Sequence, residues 1–444
     1  MGIQIVRNAD LSLCRTKPKV ALVLASGAVS GGAFKIGGLI ALNRYLKNRK
    51  VTDFDMYVGI SAGSLLAGPL AAGIPPEEML KSLYGRSRRI SRLRVRDFYH
   101  PNLSETVSKL WSFGRDAVGF YPAITSGLAD YLKHNYKEIW ARIGDYARHP
   151  DLENLERILR PMIRSVGQKT NLPNAGTYIP GGLFDNQPLE RYIRENLERN
   201  RLPNNFRLLR HFRRRDLYIS ATSLDTADEV VFGPDARCDI TIAEAVMASS
   251  AVPLFYRPAR IRGEDFLDGA VRTTANVTFA AAKGADLIIC YNPFRPFRHS
   301  EMHKLLPQFH NLGDLGVFTI LSQAIRTMLH SRLMLSIESL ARDPDFKGDL
   351  ILIEPLEEDA EFFSINPLAF WRRAESAQHG FATAKKLFEE NHRELTAVFE
   401  RYGIRLDLRT LRMSGEKLSE ARLNEQETLN LLEQPSIPRR LHMR

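Results

Sequence analysis

The chain is predicted to be an α/β protein built on a parallel sheet, and three observations carry that prediction. Short, wholly apolar runs read as buried strands. Segments with helical spacing of apolar residues follow them. Small, glycine-rich turns join each strand to its helix.

The first strand is read at Lys19-Val20-Ala21-Leu22-Val23-Leu24, bounded by Pro18 and a glycine cluster. Ala25 to Gly32 carries too much glycine for regular structure. Ala33 to Asn48 then reads as a helix whose apolar face is Phe34, Ile36, Leu39, Ile40, Leu42 and Leu46. Phe54 to Gly59 is a second strand, and Ala62 to Ala72 a second helix that Gly68-Pro69 should bend or end. The alternation returns with strands at Leu217 to Ala221, Glu229 to Phe232, Leu287 to Tyr291 and Leu350 to Ile353. Helices are read between them at Ile242 to Ser249 and Val277 to Lys283.

Between the two blocks, Ile74 to Arg215 is richer in charge and helical pattern. A structureless loop of that length is implausible, so a largely helical insertion is expected over 74–215. The main domain is placed at 19–355 and a mainly helical C-terminal region at 356–444, with a surface helix and a loose end from Ser414. Leu315 to Leu340 carries an apolar stripe (Val317, Leu321, Ile325, Met328, Leu333, Ile337) with Arg326, His330 and Arg332 opposite. It is read as core, with a lid over an apolar pocket as the other reading.

The 444 residues suffice for a large core. At 44% hydrophobic and 25% charged residues, a wholly disordered chain is excluded. The three cysteines, Cys14, Cys238 and Cys290, form no CxxC pair; they argue against a disulfide framework or zinc site and for a reducing, cytoplasmic compartment. The N-terminus lacks the apolar core of a secretory signal, and position 6 is Val6 where a myristoylation motif wants serine or threonine. The longest apolar stretch, Ile60 to Pro76, is broken by serines, glycines and Pro69, so membrane contact is expected to be peripheral. The formal net charge of +11 favours anionic partners. Arg86 to Arg96 holds six arginines and no acid, and Arg207 to Arg215 is a second basic run. A membrane surface fits these runs better than nucleic acid, since no nucleic-acid recognition motif accompanies them; a solvated face is the plain alternative.

Gly59-Ile60-Ser61-Ala62-Gly63 fits G-x-S-x-G. A serine on a tight strand-to-helix turn needs small neighbours, Gly59 and Gly63 here, because the backbone is crowded. The turn lifts the hydroxyl clear of the sheet, beside a helix N-terminus that favours developing negative charge. The pattern alone arises by chance in roughly one chain in seven of this length, so the flanking strand and helix matter. The plain alternative is a serine that caps a helix.

The loop Gly27 to Gly32 has three readings: an oxyanion hole, a close packing turn, or a phosphate cradle. G-x-G-x-x-G fails at Val29, and the P-loop pattern fails at Ala33-Phe34. None of the 11 histidines follows an apolar strand beside a glycine, as a triad base would; His100, His134, His211, His299 and His442 sit in polar or helical contexts. Asp268 does have such a context, in Phe266-Leu267-Asp268-Gly269-Ala270.

With Asp268 the set resembles the patatin-like phospholipase family: glycine-rich loop, G-x-S-x-G and D-G-[GA], in that order. The blocks Gly182 to Leu189, Tyr218 to Gly233 and Ala245 to Pro258 agree, and the likeness runs over roughly Lys19 to Asn292 outside the insertion. The resemblance implies a three-layer α/β/α sandwich with a mostly parallel sheet, and a lipid acyl hydrolase of phospholipase A or lysophospholipase type. It implies Ser61 as nucleophile and Asp268 as base, without histidine, metal or cofactor. Amides of Gly27, Gly31, Gly32 and Ala62 would form the oxyanion hole, and Gly269 with Ala270 would complete the D-G motif. The same dyad would serve a triacylglycerol lipase or an acyltransferase, and an inactive lipid-binding scaffold is the reading from another class. The loop departs from the family's usual G-G-G-x-[RK]-G, with Ala28, Val29 and Ser30 after Gly27. Oligomeric state is not legible.

Overall fold

The computed structural model describes residues 2–9, 17–148, 157–159, 161, 175–298, 311–356 and 359–413. The chain divides into two compact units. One comprises Met1–His100 with Phe184–Arg444, the other Pro101–Leu183.

The first unit is organised by a nine-stranded sheet. Its strands are β1 (Ile3–Arg7), β2 (Val20–Leu24), β3 (Met56–Ile60), β4 (Asp216–Ser223), β5 (Glu229–Phe232), β6 (Ala259–Ile261), β7 (Glu264–Asp268), β8 (Leu287–Tyr291) and β9 (Asp349–Ile353). The order is β1-β9-β8-β2-β3-β4-β7-β6, with β5 also paired to β4. β9, β8, β2, β3 and β4 run parallel. β1, β5, β6 and β7 are antiparallel additions at its margins.

The reason for the all-apolar strands is visible in the packing. Alternate residues of one strand point to opposite faces. Val20, Leu22 and Leu24 join one apolar core, with residues of Ala28–Tyr45 (α1), Ala62–Ala71 (α2), Ile242–Ser249 (α3) and Arg373–Glu390 (α5). Ala21 and Val23 join a second core with Val277, Ala280, and Leu333, Ile337 and Leu340 of Val317–Arg342 (α4). Helices therefore cover both faces, giving three layers. α1 and α5 approach closely at glycines: a Cβ on Gly37 would lie 1.8 Å from the Ala377 carbonyl oxygen, and one on Gly380 1.9 Å from that of Phe34.

Several elements differ from expectation. α1 begins at Ala28, five residues before the predicted start, so most of the glycine segment is a helical first turn rather than a loop. The charged N-terminal stretch supplies edge strand β1 on β9, with Ile3 and Ile5 packed on one core, Val6 on the other, and Gln4 and Arg7 exposed. α2 runs through Pro69 to Ala71. In α4 the expected stripe splits: Leu333 and Ile337 are buried, whereas Val317, Leu321, Ile325 and Met328 are exposed. Arg326, expected on the polar face, is buried against Phe294, Phe362 and Phe363.

The second unit is dominated by the helical stretch Leu103–Arg148, which has non-helical backbone angles at Asn135. Cys14, His299, His442 and the predicted surface helix beyond Ser414 lie outside the described residues. Among the described residues, no helix is long and apolar enough to cross a membrane.

Candidate active site

Ser61 sits at the sharp turn between β3 and α2, with the left-handed backbone angle φ 53°. A side chain rarely adopts that angle unless its surroundings impose it. Here they do. The Ser61 amide donates to Ser249 Oγ at 2.8 Å, and its carbonyl accepts from the Ser64 amide at 2.8 Å and the Ser64 hydroxyl at 2.6 Å. The flanking glycines are needed for close approach. A Cβ on Gly59 would lie 2.6 Å from Ser64 Cα, and one on Gly63 2.0 Å from the Leu24 carbonyl oxygen.

Asp268 ends β7. It pairs with Ala221, one rung beyond the Ile60–Ser220 pair, which sets it level with Ser61 across β4. Its amide donates to the Ala251 carbonyl at 2.8 Å, and its own carbonyl accepts from the Thr222 hydroxyl at 3.1 Å. Gly269 works by close approach, since a Cβ there would lie 2.4 Å from the Ser220 carbonyl oxygen.

The Asp268 carboxyl is 2% exposed. Its Oδ1 accepts from the Ala270 amide at 2.8 Å, while Oδ2 is buried without a hydrogen-bond partner among the described residues. Burial pushes its pKa up to about 7, against the opposing pull of the Ser61 hydroxyl, the Ala270 amide and the Lys35 ammonium. The Ser61 hydroxyl is thus near enough to act on the carboxyl without a fully formed hydrogen bond to Oδ2.

An apolar cavity of about 150 Å3 opens beside Ser61. Its walls include Ala28, Ala62, Leu66, Ile90, Phe98 and Val246. Segments 74–100 and 184–215, read from sequence as parts of the insertion, pack in the first unit and contribute Met79, Ile90, Leu93, Ile193 and Leu197 to these walls. No residue of α4 lines the cavity, so the lid reading of that helix does not apply to it.

The predicted oxyanion donors are only partly brought together. The Gly31 amide is spent on the Gly27 carbonyl at 2.8 Å, because α1 has already begun there, and Gly32 lies further inside the helix. Val29 and Ser30 donate to the Pro367 carbonyl at 3.1 and 3.0 Å. Gly27 caps the helix outside the cavity wall. Among the described residues, the amides of Ala28 and Ala62 carry no hydrogen bond, and both residues line the cavity with Ser61. Ala28 also has a left-handed φ, 48°. The signal for Ala28 was its place where the family carries glycine.

Sequence reasoning also missed Ser249, which holds the elbow, and Lys35, which is wholly buried below it. The only cue to Lys35 was its being the lone charge between Ala25 and Leu42. None of the described histidines lines the cavity; His330, His379 and His392 face Glu354, Asp359 and Tyr45 instead.

No curated protein is similar enough to this chain to count as a match. Among solved structures, VipD from Legionella pneumophila shares 16% identity over 88% of this chain and 70% of its own, at a TM-score of 0.35. A chain of the complex of SpcU with ExoU, from the type III secretion system of Pseudomonas aeruginosa, shares 17% over 97% and 72%, at 0.27. Such scores carry no structural inference. Residues 22–282, well over half of the chain, match the patatin-like phospholipase family. The chain therefore belongs to the patatin-like phospholipase family.

Proposed function

We propose that this protein cleaves carboxylic esters of lipids through Ser61 and Asp268, as a phospholipase A or lysophospholipase. The observation that carries the reading is a buried carboxylate oxygen without a partner, level with a strained serine at the wall of an apolar cavity. The cavity suits an acyl chain, and family membership supports lipid hydrolysis.

In this mechanism Ser61 Oγ attacks the ester carbonyl carbon while its proton passes to Asp268 Oδ2. The amides of Ala28 and Ala62, at the starts of α1 and α2, hold the oxyanion. The tetrahedral adduct expels the alcohol, which takes the proton from Asp268. Water then loses a proton to Asp268 and attacks the Ser61 ester, and the fatty acid leaves with Ser61 restored. Asp268 must be ionised to accept the first proton. With its pKa raised to about 7, kcat/KM should climb with pH through that value.

The arginine run supports docking on an anionic bilayer. Arg88, Arg89, Arg92, Arg94 and Arg96 are exposed, while Ile90, Leu93 and Phe98 of the same segment line the cavity. Arg89 also acts electrostatically on Arg213 of the second basic run, whose helix exposes Leu208 and Phe212. Cations with exposed apolar residues beside an acyl cavity suit a headgroup surface, at about 1 kcal/mol per cation.

The test is hydrolysis of phosphatidylcholine, phosphatidylglycerol, their lyso forms and trioleoylglycerol by wild type and Ser61→Ala. Release of fatty acid by wild type but not by the variant is expected. Equal release by both would overturn the assignment, and preference for trioleoylglycerol would redirect it to a lipase.

A further inference from the structure

Among the described residues, Lys35 is the one lysine of the interior, and the chemistry above leaves it unused; it is 0% exposed. It stands seven residues after Ala28 on α1, so both project from one side of the helix. Its Nζ donates to the Ala25 carbonyl oxygen, just past the end of β2. A Cβ on Gly63 would lie only 2.8 Å from that same oxygen. The ammonium is therefore anchored directly under the serine elbow.

A lone buried cation is costly unless an anion answers it. Beyond burial, the ionisable groups that act on Lys35 are Cys290, from β8, and then Asp268, from β7. Burial keeps the Cys290 thiol protonated, and Glu354 adds to that effect. Asp268 is thus the anion that answers it, through the buried space beneath the elbow and without a direct ion pair. From its side, Asp268 is faced by the Ser61 hydroxyl, the Ala270 amide, Lys35 and Tyr256. Tyr256 is itself held neutral by burial. Lys35 is the only cation among these groups.

We infer that Lys35 is a positioning residue: anchored to the β2 end beneath the elbow, its ammonium keeps Asp268 ionised and ready to take the Ser61 proton. The inference rests on the dyad proposed above and adds the group that sets its working pH. Burial lowers the pKa of Lys35 to about 7 while raising that of Asp268 to the same region, so each group's charge supports the other's. The sign is fixed. Removing the cation raises the Asp268 pKa further, and the carboxylate appears only at higher pH. Removing the anion lowers the Lys35 pKa.

Wild type, Lys35→Met and Lys35→Arg are compared for kcat/KM on a soluble short-chain ester against pH. The carboxyl of Asp268 is titrated in parallel by 13C NMR. The acid-limb midpoint and the carboxyl titration should both rise by about one pH unit in Lys35→Met, and stay near the wild-type values in Lys35→Arg. Unchanged midpoints in a folded Lys35→Met protein overturn the inference. If Lys35→Met does not fold, the Lys35 Nζ resonance in Asp268→Asn decides: titration at lower pH than in wild type supports the pairing, and no change refutes it. An inactive wild type would count against the proposed hydrolysis, whereas the carboxyl and ammonium titrations would still judge Lys35.

Discussion

Two strand-to-helix turns meet at the cavity, and they use their glycines alike but offer it different groups. After β2 the left-handed backbone angle is carried by Ala28, and after β3 by Ser61. Neither is a glycine. The glycines beside them serve close approach: Gly27 and Gly31 against Pro293, Gly59 and Gly63 against the neighbouring backbone. At the first turn the amides of Val29, Ser30 and Gly31 are already bonded, leaving Ala28. At the second, Ser61 and Ala62 both line the cavity, and the Ala62 amide is unbonded among the described residues. One turn thus offers a donor alone, and the other offers a nucleophile with a donor. The comparison teaches that glycine-rich turns here mark crowding, while at both turns the strained angle falls on a residue that lines the cavity.

Substitutions can break that contrast at either turn. The largest effect is expected at the second. Asp268→Asn, like Ser61→Ala, should reduce kcat below about one thousandth of wild type with the fold retained, read by ester hydrolysis and circular dichroism. Next is Gly63→Val, whose side chain would collide with the Leu24 carbonyl; a loss of about 3 kcal/mol or more is expected in urea unfolding. Replacing Arg88, Arg89, Arg92, Arg94 and Arg96 by Gln should leave turnover of a soluble ester near wild type and sharply weaken co-sedimentation with phosphatidylglycerol vesicles at low salt. Binding that ignores both salt and anionic lipid would count against docking. The smallest effect is expected at the first turn. Ala28→Gly should stabilise by about 1 kcal/mol, because glycine meets no penalty at φ 48°. Destabilisation there would mean that Ala28 is not strained in the way its angle implies.

The parallel strands were legible because each is buried on both faces, so Val20 to Leu24 and Leu287 to Tyr291 are apolar at every position. Ser61 stood out as a candidate because strand, small residues and turn coincide there, and Asp268 only in company with the other motifs of the family resemblance. Edge strand β1 was not legible, since exposed Gln4 and Arg7 at the sheet margin interrupt its apolar run. The start of α1 was misplaced because Gly31 and Gly32 are poor helix formers, yet close packing against Pro293 selects Gly31. Lys35 stayed hidden because lysine is rarely buried, and its partner Asp268 lies more than two hundred residues away in sequence.

Labelling by a fluorophosphonate, read by peptide mass spectrometry across pH, tests the pairing of serine and carboxylate most directly. The expected result is a single adduct on Ser61, forming faster as pH rises through about 7 and strongly slowed in Asp268→Asn. An unmodified Ser61, or labelling as fast in Asp268→Asn as in wild type, would contradict it.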